Sequence, residues 1–227
     1  MFKEFLDLFR KGDHLQQAFD RSHEMLAEDR EMFEAAMHSL RMQDDARLEI
    51  DIYAKDQLIN AYQREVRRKV FTHLTIASGR DLEAGLALIS VVVSIERIGD
   101  YTKNIVELAL NHPERLVCGP HEPIIRRIET GVKTMMGLLL ESLPANDEAK
   151  AREVMSEHWW IAKRCDEIVN VLLQKDEESL PGREAVATAL YARYLKRISA
   201  HLMDIASSLA NPFDRIGFRG EDPNGRA

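Results

Sequence analysis

The sequence contains few of the residues that interrupt helices. Only 11 glycines and 7 prolines occur among its 227 residues, and most of them gather in short stretches such as 78–81, 111–123 and 178–182. No stretch alternates apolar and polar residues as a half-buried strand would. Between the interruptions, apolar residues recur every three or four positions, which is typical of amphipathic helices. The sequence therefore predicts an all-α protein.

Cysteine and long apolar runs are also scarce. Cys118 and Cys165 are the only cysteines, too few for a disulfide scaffold, and this favours a reducing compartment. The most apolar run, 84–95, is shorter than the about 20 residues that a membrane-spanning helix needs. The N-terminus carries charges where a signal peptide would be apolar. We therefore expect a cytoplasmic protein that meets a membrane only through a partner.

Charge and motifs exclude several functional classes. The formal net charge is −7, which does not favour general binding to nucleic acid, and the basic run at 64–70 is interpreted as a solvated helix face. The sequence has no G-x-S-x-G elbow and no glycine-rich phosphate loop. Di-iron oxidases carry a Glu-x-x-His motif, in which His stands three positions after Glu. No Glu of this sequence is followed by His at that position. The sequence therefore predicts no enzymatic activity.

Six helices are predicted, at 14–40, 45–76, 81–110, 122–142, 146–176 and 183–210. Long helices joined by short turns predict antiparallel bundles. The third and sixth helices share a pattern at an offset of about 100 residues, which indicates a duplicated unit. The matching pairs are Arg97 and Arg197, Ile98 and Ile198, and Ile105 and Ile205. We therefore predict two tandem three-helix bundles, at 1–115 and at 116–227, the second with a short C-terminal tail.

Two carboxylates, Glu96 and Asp100, lie one turn apart on the third helix, opposite its predicted core stripe of Ile95, Ile98, Tyr101, Ile105 and Leu108. The preceding turns of this helix are apolar on all sides, so we expect the two carboxylates to be partly buried. Like charges at this spacing repel each other, and a partly buried pair needs a compensating cation. Arg97 and Lys103 can supply it as ion pairs in a purely structural scaffold. A divalent metal or iron would suit the same oxygen ligands. Further oxygens are available on the first two helices, from Glu28, Asp29, Glu31, Glu34, Asp51, Asp56 and Asn60.

A second set of potential metal ligands lies at 111–123, in the connection between the two predicted bundles. His112, Cys118 and His121 fall within ten residues of one another, and these residue types bind zinc. No fourth ligand lies close by in the sequence and a proline interrupts the backbone, and such residues more often belong to a plain loop.

The motif "ERIGDYTKNI" at 96–105 resembles the signature helix of the PhoU family, the regulators of phosphate uptake. The segments 5–26, 78–90 and 211–218 are similar to other parts of these proteins in the same order, so the resemblance covers most of the chain. It implies two three-helix bundles and a cytoplasmic, non-enzymatic adaptor. The expected partners are a phosphate transporter, a sensor kinase and a second copy of the chain.

The resemblance also assigns residues. Glu96 and Asp100 match the family's metal-ligand positions, and Arg97 and Asn104 belong to the same helix motif, so a divalent metal or iron is the implied cofactor. The candidate additional oxygens, Asp56 and Asn60, come from the residues of the second helix and not from the resemblance. The sixth helix departs from the pattern, with Lys196, Ala200 and Asp204 at the corresponding positions. A Lys ammonium has no lone pair and Ala has no ligand atom, so we expect no such metal site there. The alternative to the adaptor is a carboxylate-ligated metal-binding bundle, either a metal store or a metalloenzyme.

Overall fold

The structure is a computed structural model that describes residues 14–77, 81–112, 114–174 and 180–218. These residues form six long helices and two short 3₁₀ turns, at Gly119–His121 and Phe213–Arg215. The described ranges contain no strand, so the all-α prediction is confirmed. The helices are α1 (His14–Met42), α2 (Ile52–Ile76), α3 (Leu82–Asn111), α4 (Glu122–Ala145), α5 (Glu148–Gln174) and α6 (Gly182–Ala210).

The six helices form two antiparallel three-helix bundles, α1–α3 and α4–α6, as predicted. The bundles share one continuous apolar core, because α3 packs along α6 and α1 contacts α4. The two helices that carry the sequence repeat are therefore the central helices of the molecule. Helices α2 and α5 each pack mainly on the other two helices of their own bundle, and so lie at its edges. In the part of the chain that is described, no helix is long and apolar enough to cross a membrane.

The predicted core stripe of α3 is confirmed. Ile95, Ile98 and Ile105 are fully buried. Tyr101 belongs to the same stripe and faces α6, where its hydroxyl accepts a hydrogen bond of 3.1 Å from Nε of Arg197. Its ring also stacks on that of His201, with centroids 5.9 Å apart. The stripe of α3 thus reaches from the core of its own bundle to the second bundle.

The second helix begins later than the sequence predicted. Helix α2 starts at Ile52 rather than at 45, and residues 43–51 are irregular. Ala46 adopts a positive φ of 51°, which breaks the helical path. The side chain of Asp51 then accepts a hydrogen bond of 2.9 Å from the backbone N–H of Ala54, so it provides the N-terminal cap that defines the true start of α2.

The middle of the connection between the bundles packs against the first bundle. The predicted boundary at 115/116 falls between α3 and α4. Next to it, the side chain of Leu116 is fully buried, and its backbone N–H donates to the carbonyl of Leu40 at 2.8 Å. The connection is therefore attached to the end of α1.

Candidate functional site

The acidic residues predicted as a site converge where the three helices of the first bundle meet. Glu96 and Asp100 lie on α3 and are partly buried, Asp56 comes from α2, and Asp29 comes from α1 and is fully buried. The apolar turns of α3 before Glu96 predicted this partial burial correctly. The four carboxyl groups form the acidic cluster of the first bundle.

A glycine makes room for the deepest of these carboxyls. A Cβ atom built on Gly99 of α3 would lie only 2.9 Å from Oδ1 of Asp29. That distance is shorter than real Cβ contacts allow, so the carboxyl of Asp29 occupies the space that a side chain at position 99 would fill. Sequence reasoning missed this role, although a glycine in the middle of a predicted helix is a recognisable signal of close packing.

Basic residues of α3 neutralise the outer part of the cluster. Nζ of Lys103 lies 3.2 Å from Oδ1 of Asp56 and 3.5 Å from Oδ1 of Asp100, so it bridges α2 and α3. Nη1 of Arg97 donates to Oδ2 of Asp100 at 3.0 Å, and its Nε lies 3.6 Å from Glu96. The ion-pair network predicted from the sequence is therefore present, and Lys103 extends it to the second helix.

The inner carboxyl is not neutralised in this way. Neither oxygen of Asp29 has a hydrogen-bond partner among the described residues. Burial, and then the negative charges of Glu96 and Asp56, raise the pKa of Asp29 well above its ordinary value. Burial and the neighbouring Asp100 also raise the pKa of Glu96, against the opposing effect of Arg97. Of the four acids in the cluster, Asp56, Glu96 and Asp100 thus have a cation within ion-pair distance, and Asp29 has none among the described residues.

Most of the other predicted oxygens make contacts outside the cluster, whereas Asn60 borders it through its amide nitrogen, which donates to Oδ2 of Asp56 at 3.4 Å. Glu28 and Glu31 both pair with Nζ of Lys55, at 2.5 and 2.8 Å. Glu34 pairs with Arg30, and Asp51 caps α2. The amide nitrogen of Asn60 donates to the backbone carbonyl of Asp56 at 3.0 Å, and Asn104 is partly buried on α3.

Metal-ligand geometry is not formed in the described residues. Within the ranges that the structure covers, no three His, Cys, Asp or Glu side chains are arranged to hold a metal ion. His112, Cys118 and His121 are therefore not gathered around a common point in the described structure. Cys118 is buried, and burial raises the pKa of its thiol to about 11, which keeps it protonated and poorly suited to bind a metal.

The equivalent positions of the second bundle form a different arrangement. Lys196 binds both carboxylate oxygens of Asp166 on α5, each at 2.6 Å. Asp204 of α6 turns towards the first bundle, where the hydroxyl of Ser94 donates to it at 3.4 Å. Position 96 of α3 thus carries an acid of the cluster, whereas the equivalent position 196 of α6 carries a cation paired with an acid of α5.

Comparison with known proteins identifies the fold and its duplication. The family model of the PhoU domain matches residues 22–109 and matches again at residues 125–209. The chain belongs to the PhoU family. The two PhoU domains correspond to α1–α3 and α4–α6, and together they account for most of the chain. Membership of the PhoU family makes the chain a regulator associated with phosphate transport.

Individual PhoU proteins agree with this assignment. A phosphate-specific transport system accessory protein PhoU homolog from Caulobacter vibrioides is 27% identical over 162 residues, which cover 68% of this chain and 69% of that protein; two strains of this species carry it. The crystal structure of PhoU from Pseudomonas aeruginosa has the same fold, with a TM-score of 0.73 at 20% identity. That comparison covers 86% of this chain and 95% of the Pseudomonas chain.

Proposed function

We propose that this PhoU-family chain is a non-enzymatic cytoplasmic adaptor that regulates a phosphate transporter by direct contact. The observation that carries the proposal is the double match to the PhoU domain, which spans nearly all of both bundles. The related Caulobacter protein is named as an accessory protein of a phosphate-specific transport system. The proposal extends to a sensor kinase as a second partner and to a homodimer as the working form.

The architecture suits an adaptor. A continuous core joins the two bundles along α3 and α6, so the two bundles pack as one unit. The edge helices α2 and α5 leave long faces open, which is where a helical protein can present a surface to a partner. The polar clusters of the central helices are largely occupied by internal ion pairs, in keeping with a structural role.

Deletion and co-purification test the proposal. Deleting the gene in the native host should alter phosphate uptake and phosphate-responsive transcription, and the intact chain should restore both. The tagged chain should co-purify with transporter components from detergent-solubilised membranes. Unchanged uptake and transcription after deletion would contradict the regulatory role. Co-purification of a sensor kinase is scored separately from that of the transporter. Analytical ultracentrifugation of the purified chain measures its mass in solution and so tests the homodimer.

A second candidate function is cation binding at the acidic cluster, and the unpartnered carboxyl of Asp29 favours it. Buried carboxyls without hydrogen bonds are costly unless a proton or a cation compensates them. Asp56, Glu96 and Asp100 would supply hard oxygen ligands of the kind that Mg²⁺, Mn²⁺ or iron prefers. The ammonium of Lys103 lies between Asp56 and Asp100, so a metal ion would have to displace it.

Competition with Lys103 gives this second candidate a direct test. Protein purified without chelators is examined by elemental analysis and then titrated with Mn²⁺, followed by electron paramagnetic resonance. Lys103→Met should bind Mn²⁺ more tightly than the unsubstituted chain, because the competing charge is removed. The double variant Glu96→Gln, Asp100→Asn should lose binding. Metal-free protein with equally weak Mn²⁺ binding in all three forms would rule out the metal store and the metalloenzyme.

A further inference from the structure

The outward face of α2 combines large apolar side chains with positive charge. Phe71 and Ile76 are 70% and 71% exposed, and Tyr53 and Leu58 are also exposed. Three arginines share this face, and the more exposed of the two acids of α2, Glu65, is paired with Arg21 and Lys69. We define the α2 face by Tyr53, Leu58, Arg64, Arg67, Arg68, Phe71 and Ile76.

The arginines surround the most prominent aromatic ring. Phe71 follows Arg64, Arg67 and Arg68 by seven, four and three residues, and these spacings place all four side chains on one side of a helix. None of the three arginines forms an ion pair or hydrogen bond with a residue that the structure describes. The acids of α2 are occupied elsewhere, Glu65 by Arg21 and Lys69 and Asp56 by Lys103. The positive charge of Arg64 and Arg68 is therefore not neutralised within the described chain, and that of Arg67 acts only on Glu96.

The duplicated edge helix shows that the fold does not require such a surface. Helix α5 occupies the position of α2 in the second bundle, yet its exposed side chains include both acids and bases. Arg152 of α5, for example, pairs with Glu148 at 2.5 Å one turn away. A fold-imposed feature would recur on both edge helices, so the α2 face belongs to this helix alone.

We infer that the α2 face is a docking surface for an acidic, partly apolar surface of a partner protein. Arginine and aromatic residues are enriched at protein interfaces and dominate their binding energy, while Lys, Glu and Asp are depleted there. Guanidinium groups also pair with carboxylates in a two-pronged geometry. In a chain of net charge −7, an unpaired cluster of arginines selects a negatively charged partner. The inference rests on the proposed function, which makes that partner a protein of the phosphate transport system.

Two other occupants fit the face less well. A second copy would have to present acids, and three exposed acids of α1 are already paired within the chain: Glu24 with Arg21, Glu31 with Lys55 and Glu34 with Arg30. A helix that lies on a membrane keeps its cations on one side and buries a continuous apolar side in the lipid. On α2 the continuous apolar side faces the bundle core, and arginines alternate with apolar residues on the outside.

Charge reversal on two matched surfaces tests the inference. Arg64→Glu, Arg68→Glu changes the α2 face, whereas Arg183→Glu, Arg193→Glu makes the same charge change at exposed positions of α6. Arg67 is left intact because its charge acts on Glu96. Each tagged full-length variant is expressed in the native host, checked by circular dichroism and thermal unfolding, and used to co-purify the transport system. Phe71 is replaced separately by the photo-crosslinker p-benzoylphenylalanine.

The inference predicts that the α2 variant recovers at least tenfold less transport-system protein, while the α6 variant recovers as much as the unsubstituted chain. The crosslink from position 71 should join an acidic segment of a transport-system protein, and recovery should fall with added salt. Equal recovery by both variants, or a crosslink to lipid or to a second copy, overturns the inference and leaves the proposed function standing. If the unsubstituted chain recovers no transport protein, the proposed function fails and the inference with it.

Discussion

Arg41 of α1 and Glu129 of α4 form a buried ion pair between the two bundles, with Nε and Oε1 2.8 Å apart. Arg41 also reaches Glu122 at 2.6 Å and the backbone carbonyl of Leu116. The hydroxyl of Tyr191 on α6 donates to the same oxygen of Glu129 at 2.9 Å. One polar network therefore attaches the end of the first bundle to the connection and to two helices of the second bundle.

Removing the cation from this network should be strongly destabilising. We expect Arg41→Met to lower the free energy of unfolding by about 3 to 5 kcal/mol, because Glu129 is left buried and uncompensated. Urea unfolding at pH 7 measures the change. Arg126→Met is the matched control, since Arg126 also binds Glu122, at 2.7 Å, but is exposed, and it should cost less than about 1 kcal/mol. Equal losses in the two variants would show that burial does not set the strength of this network.

Gly99 and Asp29 should be energetically coupled. Gly99→Ala should lower the free energy of unfolding by about 1 to 3 kcal/mol, since the new Cβ would overlap the Asp29 carboxyl. In the Asp29→Ala background that obstacle is gone, and the same change should instead stabilise the protein by about 1 kcal/mol through helix propensity. A double-mutant cycle in urea measures the coupling. The same effect of Gly99→Ala in both backgrounds would disprove the close packing of these two residues.

Lys103 and Lys196 provide a matched comparison of the two bundles. Their side chains are 24% and 25% exposed, but Lys103 bridges two acids next to Glu96 and Asp29, whereas Lys196 binds Asp166 alone. Lys103→Met should therefore cost about 1 to 2 kcal/mol more than Lys196→Met at pH 7. Thermal unfolding of both variants measures the difference. It should shrink at pH 4, because burial and the neighbouring Asp100 raise the pKa of Glu96 and this acid then takes up a proton. A difference that persists there would contradict the electrostatic explanation.

His158 should make stability depend on pH. Its Nδ1 lies 3.0 Å from the hydroxyl of Ser199, and burial lowers the pKa of the imidazole to about 4. Between the ordinary value of about 6.5 and 4, the unfolded chain binds a proton that the folded chain does not, so stability falls as pH falls through this window. The expected loss is about 3 kcal/mol by pH 4. It should be absent at pH 7, where both states are neutral.

Urea unfolding of the unsubstituted chain and of His158→Gln between pH 7 and pH 4 tests this prediction. The two stability curves should differ by a constant at neutral pH and converge or cross as the pH falls. His38→Gln, at an exposed position, controls for the change of residue type. Parallel curves throughout would show that His158 contributes nothing to the acid sensitivity.

Much of the fold could be predicted from local patterns. The three-and-four spacing of Ile95, Ile98 and Ile105 predicted their burial, because a helix places residues at that spacing on one side. The second helix was predicted to start too early, since residues 45–51 have no proline or glycine to stop it. Its true start depends on the backbone turn at Ala46 and on the cap formed by Asp51.

The sequence by itself determined the helices, their duplication and the acidic turn of α3, because these depend on residues a few positions apart. Only the tertiary structure decided which acid of α1 enters the cluster, that Lys103 bridges to Asp56, and that Arg41 joins the bundles. Each of these contacts links residues on different helices, and it depends on the depth and register at which the helices pack, which no local spacing specifies.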